Sequence, residues 1–406
     1  VGPDRLRQRI MGAMALHLDD THRVDLSNPP SYESYRGFLR CDEIFLAGLF
    51  AEAVTRCSET AALDSTFTAP LSLVFAAYVR LNRPQEADSV LRILETRRHL
   101  MTPTDLLTYE VNRAWLAGDW LGTLPPLRVL LDQDPRNATY FATYAMIAGR
   151  PREALDALSA GRREGLQPET ADLNDYILLF ESSWANLVLG QYEEALDDVR
   201  EGRTLFSQPL GVSDRVLEAL ALVGLGRLDD LPGVLDEIER MEPESGFTNL
   251  DPGRALRHVS TALARAEFDQ ESREVAERSV AWYRAYDAER FRTSIGQALL
   301  QTGQPDEALS LFDAAVRETP NAPVVRGCRG IALAKLDQTS AAEEELATLA
   351  RLVELSPSNI AYFRAAVTAH LGRSDEAVAL LRQAIRAGCG SVSYTHLRAH
   401  ETMTGI

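Results

Sequence analysis

A histidine pair near the end of the chain has the residue types and the spacing of a metal site. In HLRAHE, residues 396 to 401, His396 and His400 lie one helical turn apart and Glu401 follows them. Two imidazoles on one helix face can hold zinc. The metalloprotease motif needs a glutamate directly after the first histidine, and Leu397 stands there instead. We therefore expect no metal site.

Two other patterns have the residue types of catalytic or cofactor sites. ALVGLGRL, residues 221 to 228, contains Gly224 and Gly226, but no strand precedes it and the third glycine of a dinucleotide loop is missing. Neighbouring carboxylates, Asp19 with Asp20 and residues 343 to 345, are typical of solvated helix faces. No nucleophile, base and orienting acid can be assembled from these residues. We expect no catalytic residue, no cofactor and no enzymatic activity.

Any such site would have to be positioned by helices. A local sequence pattern marks where one helix ends and the next begins. In LGQYEEALDD, residues 189 to 198, Gly190 suits the positive φ that ends a helix. Glu193 and Glu194 suit the start of the next helix. Ala195 is small enough to let a neighbouring helix approach closely. The stretch therefore predicts a turn between two helices that pack together.

This pattern recurs along the chain at a nearly constant spacing. Its small position in the second helix falls at Ala53, Ala87, Thr123, Ala154, Ala195, Leu231, Ala308, Ala342 and Ala377. Successive differences are 34, 36, 31, 41, 36, 77, 34 and 35. The value of 77 predicts one divergent unit between Leu231 and Ala308, with its second helix near residues 271 to 285. A helix pair repeated about every 34 residues indicates a repeat array.

In these features the chain resembles the tetratricopeptide repeat family over roughly residues 30 to 388. The unit at Gly303 matches the family pattern in order through Gly303, Pro305, Ala308, Leu309, Phe312, Ala315 and Pro320. The resemblance implies an all-α fold, a right-handed superhelical solenoid of antiparallel helix pairs with about nine or ten repeats. We divide the chain into an N-terminal helix and linker at 1–30, continuing from a missing upstream region, a repeat array at 31–388 and a non-repeat tail at 389–406. The abrupt change of composition after Gly388 suggests that this tail is non-native.

The net charge, the apolar runs and the cysteines of the chain bear on its partners, its location and its disulfides. The formal net charge of −17 repels phosphate backbones, so we expect no nucleic acid partner. No apolar run is long enough to span a membrane and no export signal is visible, so a cytoplasmic location is the default expectation. Cys41, Cys57, Cys328 and Cys389 lack metal-type spacing, and we expect buried or idle thiols rather than disulfides.

The family resemblance implies a function in binding. Stacked helix pairs leave a concave groove lined by the first helices, where a protein or peptide partner can lie. The repeat register gives these groove candidates, of which Phe38, Phe180 and Trp184 are also open to an ordinary core role: Tyr35, Phe38, Thr108, Asn112, Thr139, Phe180, Trp184, Thr293, Gln297, Asn359 and Tyr362. Lysine and asparagine of a chaperone-tail clamp are absent from the corresponding places, which disfavours that partner class.

A second resemblance leaves an alternative open. Residues 29 to 54 and 102 to 120 resemble the repeat regions that follow a kinase, cyclase or winged-helix domain in large bacterial signalling proteins. The main prediction is a non-enzymatic scaffold that binds a protein or peptide partner. The alternative is the regulatory or sensory arm of a larger bacterial kinase, cyclase or winged-helix transcriptional regulator.

Overall fold

The regular structure of the chain is helical. The computed structural model describes residues 3–18, 29–81, 83–162, 171, 173–206, 211–243, 250–352 and 357–386. Within those ranges it contains 21 α-helices and no strand, which confirms the all-α prediction. Asp19, Asp20, the His396 and His400 pair and the tail at 389–406 lie outside the described residues.

The helices form two compact units, with the boundary between Phe141 and Ala142. The first unit begins with α1 (Pro3–Leu18) and continues through three helix pairs, repeats 1 to 3. These pairs are α2 (Tyr32–Leu46) with α3 (Phe50–Leu63), α4 (Ala69–Arg80) with α5 (Pro84–Thr96), and α6 (Pro103–Leu116) with α7 (Leu124–Gln133). Helix α8 (Ala138–Ile147) contains the boundary and pairs with α9 (Pro151–Gly161) as repeat 4. The division into 1–30, 31–388 and 389–406 stays a prediction.

The second unit continues the same alternation through repeats 5 to 10. Its further pairs are α10 (Leu173–Leu189) with α11 (Tyr192–Leu205), α12 (Val212–Gly224) with α13 (Leu231–Arg240), α14 (Pro252–Arg265) with α15 (Asp269–Asp287), α16 (Arg292–Gln301) with α17 (Pro305–Glu318), α18 (Pro323–Lys335) with α19 (Thr339–Arg351), and α20 (Pro357–His370) with α21 (Ser374–Arg386). Over the described part of the chain this makes ten pairs, in agreement with the expected nine or ten. The divergent unit is α14 with α15, where it was predicted.

A left-handed residue follows the first helix in each repeat whose turn the structure describes. Positive φ angles occur at Gly48, Gly118, Gly149, Gly190, Gly226, Glu267, Gly303, Asp337 and Gly372, and the equivalent place in repeat 2, position 82, lies outside the described ranges. The next N–H then reaches back to a first-helix carbonyl, as Gln191 N–H does to Asn186 O at 2.9 Å. This capping motif satisfies carbonyls at the helix end and reverses the chain.

The small residue five positions later is buried in every repeat. All nine predicted positions are buried, including Thr123 and the larger Leu231. The same offset from Glu267 identifies the missing member as Ser272, which is also buried. The spacing read from the sequence therefore marks the contact between the two helices of each pair.

Repeats 1 and 8 have different residues at the same two packing positions, one on the first helix and one on the second. In repeat 8, Gly296 lies against the Phe312 ring, and an added Cβ would stand 2.7 Å from Phe312 Cε1. In repeat 1, Cys41 and Cys57 occupy the same two positions, are fully buried, and form a disulfide with their Cα atoms 5.3 Å apart. The expectation of idle thiols was wrong for this pair, because the helix packing brings together residues that are 16 apart in the chain.

Candidate functional site

First helices of consecutive repeats pack side by side within each unit. In the first unit α2 contacts α4 and α4 contacts α6, and in the second unit the same relation runs from α10 through α12, α14, α16 and α18 to α20. We call the surface formed by neighbouring first helices within one unit the first-helix face. All eleven groove candidates lie on first helices.

Five of the candidates are buried in the structure. They are Tyr35, Phe38, Asn112, Trp184 and Tyr362. The Phe38 ring packs edge-on against Phe67 with centroids 5.4 Å apart, and Tyr362 packs in the same way against Phe363 at 5.4 Å. These aromatic residues therefore contribute to the hydrophobic core, and a role in holding a partner stays a prediction for them.

The other six candidates are half-buried: Thr108, Thr139, Phe180, Thr293, Gln297 and Asn359. Gln297 links two first helices, because its Nε2 donates to Cys328 Sγ at 3.3 Å. Thr108 instead bonds within its own helix, donating to Thr104 O at 3.1 Å. Among them, Thr293 and Gln297 share one helix, α16, and lie one turn apart. The structure thus keeps polar groups partly accessible on the first-helix face.

Acidic side chains on the first helices of repeats 5 and 6 are held by hydrogen bonds. Tyr176 Oη donates to Asp214 Oδ2 at 2.7 Å, and Thr143 Oγ1 donates to Glu181 Oε1 at 2.9 Å. Glu218 is buried and paired with Arg215 at 2.6 Å. Because each of these carboxylates is already bonded inside the protein, they serve the packing of the repeats.

A further acid, Asp198, lies between the two helices of repeat 5. Its carboxylate accepts hydrogen bonds from Ser182 Oγ at 2.7 Å, Asn186 Nδ2 at 3.0 Å and Arg162 Nη1 at 2.9 Å. Burial raises the pKa of Asp198 despite these donors. Sequence reasoning missed this cluster because its members come from α10, from α11 and from Arg162, the residue that follows α9.

The first helices of repeats 7 to 10 have a different charge. Helices α14, α16, α18 and α20 contain seven arginines, one lysine and no acidic residue. The first helices of repeats 1 to 6 contain nine acidic residues. In a chain with a net charge of −17, the first helices of the last four repeats therefore carry a net positive charge, although Arg292, Arg326 and Arg329 form ion pairs with acids of the second helices.

Four polar side chains occupy one register position across that basic stretch. Arg265, Gln301, Lys335 and His370 are each the last residue of a first helix and lie seven residues before the small residue of their repeat. We call these four residues the terminal row. Arg265 and Lys335 are exposed, and Gln301 and His370 are half-buried. Counting back from the small residues would have found the row in the sequence, but the groove candidates were chosen at other register positions.

Members of the terminal row interact with neighbouring first helices. Gln301 Nε2 donates to Thr261 Oγ1 on the neighbouring first helix at 2.8 Å. Burial, together with the charge of Lys335, lowers the pKa of His370 to about 4. Desolvation lowers the pKa of Lys335, although its side chain as a whole is exposed. At neutral pH the row thus carries the charges of Arg265 and Lys335 beside a neutral imidazole.

Other kinds of site are absent from the described residues, where no three His, Cys, Asp or Glu side chains are grouped so that they could hold a metal ion. Among the helices that the structure describes, none has both the length and the apolar composition needed to cross a membrane.

Comparison with known proteins agrees with the repeat spacing. The family model described as tetratricopeptide repeat matches residues 261–323 and 329–391. These segments contain most of the helix pairs of repeats 8 to 10 and the second helix of repeat 7. No curated protein matches the chain.

Two solved structures have similar helical arrangements. A tetratricopeptide repeat protein from Parabacteroides merdae is 15% identical, with 67% of this chain and 99% of that chain covered and a TM-score of 0.40. A Rap protein complexed with competence and sporulation factor is 11% identical, with 88% and 98% covered and a TM-score of 0.45. The family match assigns tetratricopeptide repeats to residues 261–323 and 329–391, and helix pairs of the same kind precede them in the described part of the chain.

Proposed function

We propose that this chain is a non-enzymatic scaffold that binds a protein or peptide partner on its first-helix face. The observation that carries the proposal is the side-by-side packing of first helices with half-buried polar side chains, such as Thr293, Gln297 and Asn359, left on them. Helical repeat arrays present extended surfaces on which a partner segment can contact several repeats at once. Partly desolvated polar groups add specificity, because a wrong ligand leaves them unpaired.

Asn112 in repeat 3 supports the same proposal. It is buried, and its Nδ2 has no hydrogen-bond partner among the described residues. An unpaired buried amide donor costs about 1–3 kcal/mol. A carbonyl or carboxylate of a bound peptide would satisfy it.

Selection of peptide ligands tests the proposal. Random 12-residue peptides displayed on phage are selected against the full chain, and the enriched peptides are synthesised and titrated by fluorescence anisotropy. We expect saturable binding by a subset of peptides. Thr293→Arg, which places a bulky side chain on the first-helix face, should weaken that binding about tenfold or more.

Thr348→Arg is the matched control. It makes the same change at a position of second helix α19 that is half-buried like Thr293, and it should leave the affinity unchanged. Circular dichroism checks that both variants are folded, and Gln297→Ala replaces Thr293→Arg if the latter is not. The proposal fails if no peptide binds saturably, or if the first-helix and second-helix variants weaken binding equally. The regulatory-arm alternative stays a prediction.

A further inference from the structure

The disulfide of repeat 1 lies at a packing position that the other described repeats fill with an apolar side chain. Cys57 is four residues after Ala53, the small residue of second helix α3. The same position in the other nine pairs holds Leu91, Leu127, Leu158, Val199, Leu235, Ala276, Phe312, Leu346 and Leu381. Eight of these nine side chains are larger than that of cysteine. Repeat 1 therefore has a small side chain where most other repeats have a bulky one.

Cys41 occupies the facing position on first helix α2. The Cα atoms of Cys41 and Cys57 are 5.3 Å apart, within the usual range of about 4.4–6.8 Å for a disulfide. The chain has only four cysteines among 406 residues, and two of them meet at this one pair of positions. Their bond joins the two helices at a site where other repeats rely on a leucine or a phenylalanine.

Both cysteines of this pair are completely buried. Their exposed fraction is 0%, and they belong to the hydrophobic cluster that includes Tyr35, Phe38 and Phe75. Cysteines that exchange with cellular thiols are partly exposed, whereas buried structural cysteines are inert. The disulfide is therefore a structural bond between two helices and not an accessible redox switch.

Burial also determines when the bond can form. One cysteine thiolate attacks the disulfide of an oxidant and releases one oxidant thiol, and the second cysteine thiolate then attacks the mixed disulfide and releases the other. The two cysteines lose two protons and two electrons, and the oxidant disulfide is reduced to two thiols. Because neither sulfur is accessible once α2 and α3 have packed, the exchange has to precede packing. A disulfide oxidant must therefore be present where the chain folds.

A reducing cytosol does not meet this condition. Glutathione and thioredoxin keep thiols reduced there, while structural disulfides form and persist in oxidising compartments. Without the bond, repeat 1 would hold two small thiols at a position where most other repeats gain stability from a large apolar side chain. The oxidised form is thus the one in which this position joins the two helices of repeat 1.

Cys328 shows that burial alone does not produce a pair. It is 2% exposed and is a free thiol, and its Sγ accepts a hydrogen bond from Gln297 Nε2 at 3.3 Å. It lies fourteen residues before the small residue Ala342, whereas Cys41 lies twelve residues before Ala53. Cys328 therefore provides an internal control with the same residue type and similar burial at a different register position.

We propose that the Cys41–Cys57 disulfide forms as the first unit folds, and that this chain folds and acts in an oxidising compartment. The inference goes beyond the proposed scaffold function, because it concerns where the repeats fold and not what they bind. It competes with the default expectation of a cytoplasmic location.

The redox state of each cysteine in the cells that naturally make the chain tests the proposal. Cells are quenched with acid, free thiols are alkylated with iodoacetamide under denaturing conditions, and disulfides are then reduced and alkylated with N-ethylmaleimide. Trypsin cleaves after Arg40 and Arg56, which places Cys41 and Cys57 on separate peptides. We expect the maleimide on Cys41 and Cys57 and the acetamide on Cys328. Digestion without reduction should yield the first two peptides linked.

A second measurement compares the same chain from two compartments. The full chain is produced in the cytosol and in the periplasm of one bacterial host, and its urea midpoint is measured by circular dichroism. We expect a higher midpoint for the periplasmic protein, because only there is the bond formed. The difference should disappear in a Cys41→Ala and Cys57→Ala double variant. Cys328→Ala is the matched control and should leave the difference between the two products unchanged.

Three results would overturn the inference. Acetamide on Cys41 and Cys57 in the quenched cells would mean that both are thiols where the protein acts. Maleimide on Cys328 to the same extent would mean that oxidation does not follow the packing geometry. Equal urea midpoints for the two products would mean that the first unit does not depend on the bond. Peptide binding is a readout in neither measurement, so failure of the scaffold proposal would be recognised separately.

Discussion

The first helices of repeats 1 to 6 and those of repeats 7 to 10 hold the same place in the helix pair and carry opposite charge. Nine acids lie on the earlier set and none on the later. Both sets nevertheless share the left-handed turn and the buried small residue. The comparison shows that packing between helices constrains a few register positions, while the charge of the remaining positions can differ between repeats.

The largest expected effect concerns the packing that both sets share. Phe312 in repeat 8 and Leu235 in repeat 6 occupy the same register position, four residues after the small residue, and both are buried. Phe312→Ala should lower the free energy of unfolding by about 3–5 kcal/mol and Leu235→Ala by about 2–5 kcal/mol, because each leaves a cavity. Urea denaturation followed by circular dichroism measures both.

Ile385→Ala is the control for this pair, since Ile385 is 59% exposed and its truncation should cost well under 1 kcal/mol. A small effect of either buried substitution would contradict a shared packing register.

The disulfide of repeat 1 tests whether a covalent bond replaces that packing. Cys41 and Cys57 stand where repeat 8 has Gly296 and Phe312. Closing a loop of 16 residues is worth about 3 kcal/mol in the chain-entropy account. Reduction with dithiothreitol should lower the stability of the first unit by about that amount, as measured by denaturation with and without reductant.

A Cys41→Ala and Cys57→Ala double variant should show no response to dithiothreitol. The same pairing bears on location, because disulfides persist in oxidising compartments. The cytoplasmic expectation stays a prediction.

The terminal row predicts a pH effect that is specific to the later repeats. The pKa of His370 is about 4 in the folded chain, against 6.5 for an ordinary histidine. The unfolded chain therefore binds the proton first, so the contribution of His370 is present above pH 6.5 and is lost as the pH falls toward 4. His370→Gln should reduce the loss of Tm between pH 7 and pH 4.5 by roughly 1–3 °C.

His99→Gln, at an exposed position in the first unit, serves as the matched control in the same calorimetric series. Equal pH responses in the wild type and His370→Gln would show that the imidazole of the row does not resist protonation.

The smallest effect concerns the turn. Glu267 and Asp337 have φ angles of 64° and 57°, where the other described repeats use glycine. Left-handed backbone costs a non-glycine residue about 1 kcal/mol, so Glu267→Gly and Asp337→Gly should each stabilise the chain by about 0.5–1 kcal/mol. Gly303→Ala should have the opposite sign at the same register. Thermal denaturation of the three variants checks the order, and a loss of stability in Glu267→Gly would contradict it.

Much of the fold could be read from local patterns. Gly190 predicted a left-handed helix end, and its φ is 74°. The interval of 77 residues predicted the divergent pair that the structure shows as α14 and α15. The groove candidates were harder to predict, because the burial of Trp184 and the partial exposure of Thr293 depend on which neighbouring repeat covers the side chain. The terminal row was missed although its four members lie at one regular distance from the small residues. In the sequence a polar residue at that place is typical of any helix end, and only the neighbouring helices distinguish it.

The sequence by itself determined the helical class, the turns and the small residues, because these follow from interactions between residues a few positions apart. Only the tertiary structure decided that Cys41 meets Cys57, that Asp198 lies among three donors, and that Lys335 acts on His370. Each of these relations joins different helices. Their partners are selected by packing between helices, and a periodic pattern specifies that packing without specifying which side chains it brings into contact.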